Sequence, residues 1–155
     1  MPVLPEEALY NILDTWPVAV LSTYGTRFID SVPVVFVRAG SLLYSPVDGK
    51  PKSGRALSRV SNLKRDDRYT LLLQDYQNDW QALWWVKLSG RARVLEDIDE
   101  STGQLPDIVA ALSDKYPQYQ ATPVLGARRQ LLELEIDSLN AWAYRGIDWL
   151  AGRFI

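Results

Sequence analysis

The period of the hydrophobic positions changes several times along this chain, and each change marks an element. Leu9, Ile12 and Leu13 share one helical face behind Pro5, Glu6 and Glu7, residues suited to a first turn and to the positive end of a helix dipole. The spacing predicts a short amphipathic helix, with Pro5 at its first position, ending near Trp16 and Pro17. Val18 to Thr23 is β-rich, Tyr24-Gly25-Thr26 is a turn, and Arg27 to Val37 is a longer strand in which Pro33 withholds a ladder donor. Those two strands read as a hairpin. A turn at Arg38-Ala39-Gly40 leads into a short strand, Ser41 to Ser45, and then into Pro46-Val47-Asp48-Gly49, a loop of strong turn formers.

From Ser53 to Leu63 the period becomes helical again: Ala56, Val60 and Leu63 make a buried stripe, while Lys52, Arg55 and Arg59 line another. Tyr69 to Gln74 and Trp84 to Glu96 are strands joined by the polar, aromatic loop DYQNDWQA, the second long enough to need a bend near Ser89-Gly90. Leu105 to Tyr116 carries helical spacing in Ile108, Val109 and Leu112 and stops before Pro117. Gln130 to Ile136 alternates cleanly, and Asn140 to Tyr144 follows a turn at Asp137-Ser138. The order α-β-β-β-α-β-β-α-β-β, with short links between neighbouring strands, predicts a mainly β (α+β) fold. It is an antiparallel six- or seven-stranded barrel that closes its own edges, with a few short helices in its gaps. The length, 155 residues with 47% hydrophobic, suits one domain over residues 1–155.

Charge changes the picture at one place. Ser45 to Arg68 holds seven Lys and Arg residues (Lys50, Lys52, Arg55, Arg59, Lys64, Arg65 and Arg68) against Asp48, Asp66 and Asp67, while the remainder of the chain is net acidic. With Ser53 as N-cap, the helix start would offer free N–H groups and a positive dipole end beside Lys50 and Lys52, a cradle for phosphate. A solvated basic helix face is the competing reading of the same run. Binding of a nucleic acid through this segment ranks last, because a pI near 5.1 and the acidic remainder oppose a polyanion.

The chain has no His and no Cys, which excludes a Ser-His-Asp triad, a Cys nucleophile, a His or Cys zinc site and an axial His to haem. Catalysis, if present, is expected to draw its chemistry from a cofactor; a metal held only by carboxylates ranks below that, because the acids are scattered and form no spaced cluster such as an EF-hand loop. No apolar run has the length of a membrane span and the N-terminus lacks the pattern of a signal peptide, so the expectation is a cytoplasmic protein with no membrane partner. Six Trp residues add a second hint. Trp84 and Trp85 point to opposite faces of their strand, and the outward one suits a subunit interface or a flat aromatic ligand.

Four stretches, DSVPVVFV (30–37), LLYSPVDGKPK (42–52), RVSNLKRDDRYTLLL (59–73) and DWQALWWVKLSGRARVLE (79–96), together resemble the pyridoxamine 5'-phosphate oxidase-like flavin-binding split barrels. The loop ending in two Trp is similar to a branch described as dependent on the deazaflavin coenzyme F420. The resemblance implies a homodimer with FMN or F420 in clefts at the subunit interface and a small-molecule substrate. It implies that Arg59 binds phosphate, with Lys50, Lys52 and Arg55 nearby. Ser31, Val32 and Pro33 would lie along the ring system, Ser45 toward the phosphate or ribityl chain, and Trp85, Lys87 and Trp142 would approach from across the dimer. Asp66-Asp67 replaces the Asn-Pro or Asp-Pro of many relatives, and the tail lacks the Arg-Leu-x-Pro ending of the true pyridoxamine phosphate oxidases, which argues against vitamin B6 oxidation. The implied activity is a two-electron oxidoreductase, and the alternative is a flavin-nucleotide-binding or sensing module without turnover. Tyr76 and Lys87 are the side chains considered as a general acid; Tyr76 also reads as a loop aromatic covering the barrel end.

Overall fold

Pro5 precedes rather than opens the first helix in the computed structural model, which describes residues 3–47 and 58–155. Helix α1 (Glu6–Thr15) buries Ala8, Leu9, Ile12 and Leu13. Strands β1 (Ala19–Tyr24) and β2 (Ile29–Val34) form the expected hairpin. The single long strand expected from Arg27 to Val37 is instead two, because β2 stops at Val34 and β3 (Val37–Ala39) starts afresh. The cause is at Phe36. Its N–H donates to the Tyr116 hydroxyl at 3.1 Å, and its carbonyl accepts from that hydroxyl and from Lys115 Nζ, each at 3.1 Å. Side-chain groups thus take the place of a strand neighbour at this residue.

Strand β4 (Leu42–Pro46) follows, then helix α2 (Ser58–Arg65), β5 (Arg68–Gln74), β6 (Trp84–Leu95), α3 (Leu105–Lys115), β7 (Leu131–Glu135), β8 (Ser138–Ala143) and α4 (Ile147–Arg153). The expected N-cap Ser53, Ala56 and the cations Lys50, Lys52 and Arg55 lie outside the described residues. Helix α4 is absent from the sequence reading, although Ile147, Leu150 and Ala151 pack on the core at helical spacing.

All strands pair antiparallel in the order β2-β1-β5-β6-β7-β4-β3, with β8 also on β6. Strand β6 joins the two halves. Its Trp84 to Ser89 stretch pairs with β8, and Ala92 to Leu95 pairs with β7. Between them lies Gly90, where a Cβ would stand 2.0 Å from the Glu135 carbonyl oxygen, so the crossover needs a residue without a side chain. The result is a curled, split barrel.

One core fills the barrel around Trp84, which is wholly buried and meets Trp16 edge-on at 4.7 Å and Phe154 at 5.5 Å between centroids. A second apolar cluster joins Ile108, Leu112 and Tyr116 of the α3 region to Val37, Tyr44 and Leu131. Helix α2 packs on β1 and β6, and its buried Asn62 donates to the Thr23 hydroxyl at 3.0 Å. No helix among the described residues is long and apolar enough to cross a membrane.

Candidate functional site

Alternation on β2, β1, β5, β6 and β8 sends every second side chain to the outer face of this half of the sheet, and the register aligns them in rungs. One rung carries Pro33, Val20, Leu72, Lys87 and Asn140. Toward one end of the sheet stand Gln74, Trp85 and Trp142, directly opposite one another on β5, β6 and β8. Toward the other end comes a rung of hydroxyls, Ser31, Ser22, Thr70, Ser89 and Ser138, and beyond it Arg68 opposite Arg91 and Tyr24 opposite Ile29.

Two neighbouring hollows, each about 570 Å³, occupy this face. The first is apolar and aromatic, lined by Val20, Leu72, Gln74, Tyr76, Trp85 and Lys87. Lys87 Nζ sits 5.7 Å from the Trp85 ring centroid, so a positive charge stands beside the one large aromatic wall that Trp85 provides. Tyr76, from the loop after β5, is 67% exposed and forms a further wall. A flat ring with polar edge atoms suits such a hollow, since Val20, Leu72 and Trp85 offer apolar contact while Lys87 and Gln74 offer hydrogen bonds.

The second hollow is polar. Ser22 and Ser31 share a hydrogen bond of 2.8 Å, and Thr70 and Ser89 share one of 3.1 Å. At its far end Arg68 and Arg91 face each other across β5 and β6, a like-charge pair that would repel if left alone. The two aspartates that depart from the expected family pattern prevent this. Arg68 Nη2 meets Asp66 at 2.7 Å and Arg91 Nη1 meets Asp67 at 2.6 Å. Hydrogen bonds from Arg68 hold the Asp66 carboxyl down to about 2, and Asp66 in turn raises Arg68 above its ordinary value.

The sequence-derived site residues therefore separate into three groups. Ser31, Pro33, Trp85, Lys87 and Trp142 share the outer face. Val32 points the other way, packed against the core, and Ser45 is buried with its hydroxyl donated to the Val35 carbonyl at 2.7 Å, so neither is brought to this face. Arg59 lies in the first turn of α2, half-buried, and Lys50, Lys52 and Arg55 are outside the described residues. Sequence reasoning missed Val20, Leu72, Ser22, Thr70, Ser89 and the arginine pair. Their alternation was visible; the register that lines them up was not. Among the described residues no group of His, Cys, Asp and Glu side chains is placed to hold a metal ion.

No family model and no curated protein matches this sequence. Solved structures do match its shape. An FAD-binding protein of Mesorhizobium loti superposes with a TM-score of 0.64 at 14% identity, covering 89% of this chain and 92% of its own. A Listeria innocua protein provisionally described as a pyridoxamine 5'-phosphate oxidase gives 0.59 at 18% identity, with 88% and 96% covered. The fold is the pyridoxamine 5'-phosphate oxidase-like split barrel. The haem storage protein of Vibrio cholerae shares it too, with a TM-score of 0.64 at 9% identity over 92% of this chain and 95% of the other. Of these neighbours, then, one is described as binding FAD and another as storing haem.

Proposed function

We propose that this protein binds a flavin or deazaflavin nucleotide, FMN or F420, on the outer face of the β2-β1-β5-β6-β8 sheet and uses it as an oxidoreductase acting on a small organic molecule. The observation that carries this reading is the aromatic hollow itself, in which Trp85, Val20 and Leu72 offer a flat apolar bed and Lys87 stands at the rim. The bound cofactor would supply two-electron transfer, chemistry that no side chain of a chain without His or Cys provides. The protein's share is to hold the ring on that bed, to exclude water with Tyr76 and the loop after β5, and to place the Lys87 charge where it offsets negative charge on a bound ring. Phosphate falls to Arg59, near the start of α2 in the basic segment.

A second copy of the chain completes the cleft in this proposal. Ile29, Tyr24 and Trp142 are large side chains on the same sheet face, 70%, 46% and 36% exposed, and a twofold partner would cover them together with the bound ring.

A carrier or sensor without turnover is the second reading, favoured by the likeness to a haem storage protein. Haem suits these residues less well, because with no His or Cys in the chain its iron would depend on a tyrosine such as Tyr76 at the hollow. The spectrum of the purified protein tests the cofactor class directly: a flavin or deazaflavin band supports the proposal, and a haem band overturns it. Anaerobic oxidation of the reduced, bound cofactor by quinones or enones, faster than without protein, separates the enzyme from the carrier.

A further inference from the structure

Six residues line the aromatic hollow, so its hydrogen-bonding capacity can be counted side chain by side chain. Val20 and Leu72 have none, Trp85 has an indole N–H to give, and the Lys87 ammonium only donates. Gln74 could offer either end of its amide, but its orientation is fixed. Its Oε1 accepts the Tyr76 backbone N–H at 2.5 Å, and a flipped amide would set its NH2 against that donor. The end left for a ligand is Nε2, with its N–H groups. The backbone that makes this lock is itself held, since the Asp75 N–H donates to the Trp84 carbonyl at 3.0 Å. The Asp75 carboxylate is engaged by Arg153 of α4 at 3.8 Å and does not line the hollow. Donors thus come from Trp85, Lys87 and Gln74, the Tyr76 hydroxyl can serve either way, and no lining side chain is fixed as an acceptor.

We infer that Gln74 is a specificity-determining residue, and that the substrate it selects is a flat compound with a carbonyl oxygen at its edge. This rests on the oxidoreductase reading above and adds to it a substrate class. The flat shape follows from the aromatic walls, Trp85 and Tyr76, and the carbonyl from the excess of donors. Gln74 stands directly opposite Trp85 and diagonal to Lys87, so its amide reaches the apolar bed from the outer end while Lys87 remains beside the ring. An alcohol of the same shape brings an O–H that meets no fixed acceptor and loses a hydrogen bond on leaving water. The carbonyl member of a carbonyl–alcohol pair is therefore the one this hollow holds.

The probes are 1-indanone and 1-indanol, neutral molecules of one shape that differ at the oxygen. Each is titrated by NMR into the wild type, Gln74→Ala and Gln74→Glu, alone and with whichever of FMN and F420 the protein binds, and thermal midpoints check that each variant is folded. Glu keeps an oxygen for the Tyr76 N–H but presents an acceptor where Gln74 presents donors, so the fold is spared while the selecting chemistry is reversed. The wild type should bind the ketone about fivefold tighter than the alcohol, Gln74→Ala should bring the two to parity, and Gln74→Glu should favour the alcohol. Equal affinities in the wild type, a preference that Gln74→Glu leaves unmoved, or failure of the ketone to bind overturns the inference, and FMN or F420 binding in the same protein then leaves the flavin reading standing. Binding of neither cofactor overturns that reading and the inference with it.

Discussion

Trp85 and Trp142 stand directly opposite each other on β6 and β8, at the aromatic end of the outer sheet face. Trp85 borders the aromatic hollow and Trp142 extends the same face outward. Replacing Trp85 by Ala should weaken cofactor binding about tenfold, near 1.4 kcal/mol, the scale of one aromatic contact, while unfolding changes by under about 1 kcal/mol. Fluorescence titration alongside urea denaturation separates the two effects.

Gly90 is a structural test of the β6 crossover. A Cβ there meets the Glu135 carbonyl at 2.0 Å and the Asp137 amide nitrogen at 3.1 Å, both backbone atoms that have no rotamer to escape into. Gly90→Ala should therefore cost about 3 kcal/mol or more in urea denaturation, and a loss under about 0.5 kcal/mol would show that the two halves of the barrel join differently.

Most of the fold was legible because each strand announced itself locally. Leu132, Leu134 and the flanking polar residues alternate, Trp84 and Trp85 split between inside and outside as expected, and Ser89-Gly90 marks the bend. The break at Phe36 was not legible, since its cause is Lys115 and Tyr116, about eighty residues away in sequence. The same limit applied to the site. Strand periodicity puts Ser22, Thr70 and Ser89 each on an alternating face, but only the pairing of β1, β5 and β6 puts them on one rung. Ser45 fails for a related reason: its position in the motif was readable, its hydrogen bond to Val35 was not.

Lys115 gives a pH signature. Its Nζ donates to the Leu13 carbonyl at 2.8 Å and lies 3.7 Å from the Phe36 ring centroid, and burial pushes it from 10.5 down to about 8, partly opposed by Asp14. Between those values the unfolded chain binds the proton that the folded protein gives up, so stability rises with pH from about 8 and the cost of the buried charge is fully felt below it. Burial of Tyr44 and Tyr116, each pushed up to about 12, acts oppositely but only above about 10, where unfolded tyrosines ionise. Chemical denaturation from pH 8 to 10 should show a gain on the order of 1 kcal/mol in the wild type, absent in Lys115→Met.

Asn62 tests how α2 is docked. It is 5% exposed, and its amide spans to Thr23, itself 2% exposed. Asn62→Ala leaves that hydroxyl without its donor and should cost about 1–2 kcal/mol. If phosphate binds at the α2 end of the sheet, the same variant should weaken FMN more than riboflavin, read by paired titrations.

The central claim, a flavin-type nucleotide on the outer sheet face, is tested most directly by calorimetric titration of the purified protein with FMN and with F420. Saturable binding of at least one of them, well below 100 μM and weakened in Trp85→Ala, is the predicted result. Affinity of both weaker than about 100 μM, roughly −5.5 kcal/mol, would contradict it, as would tight binding indifferent to Trp85.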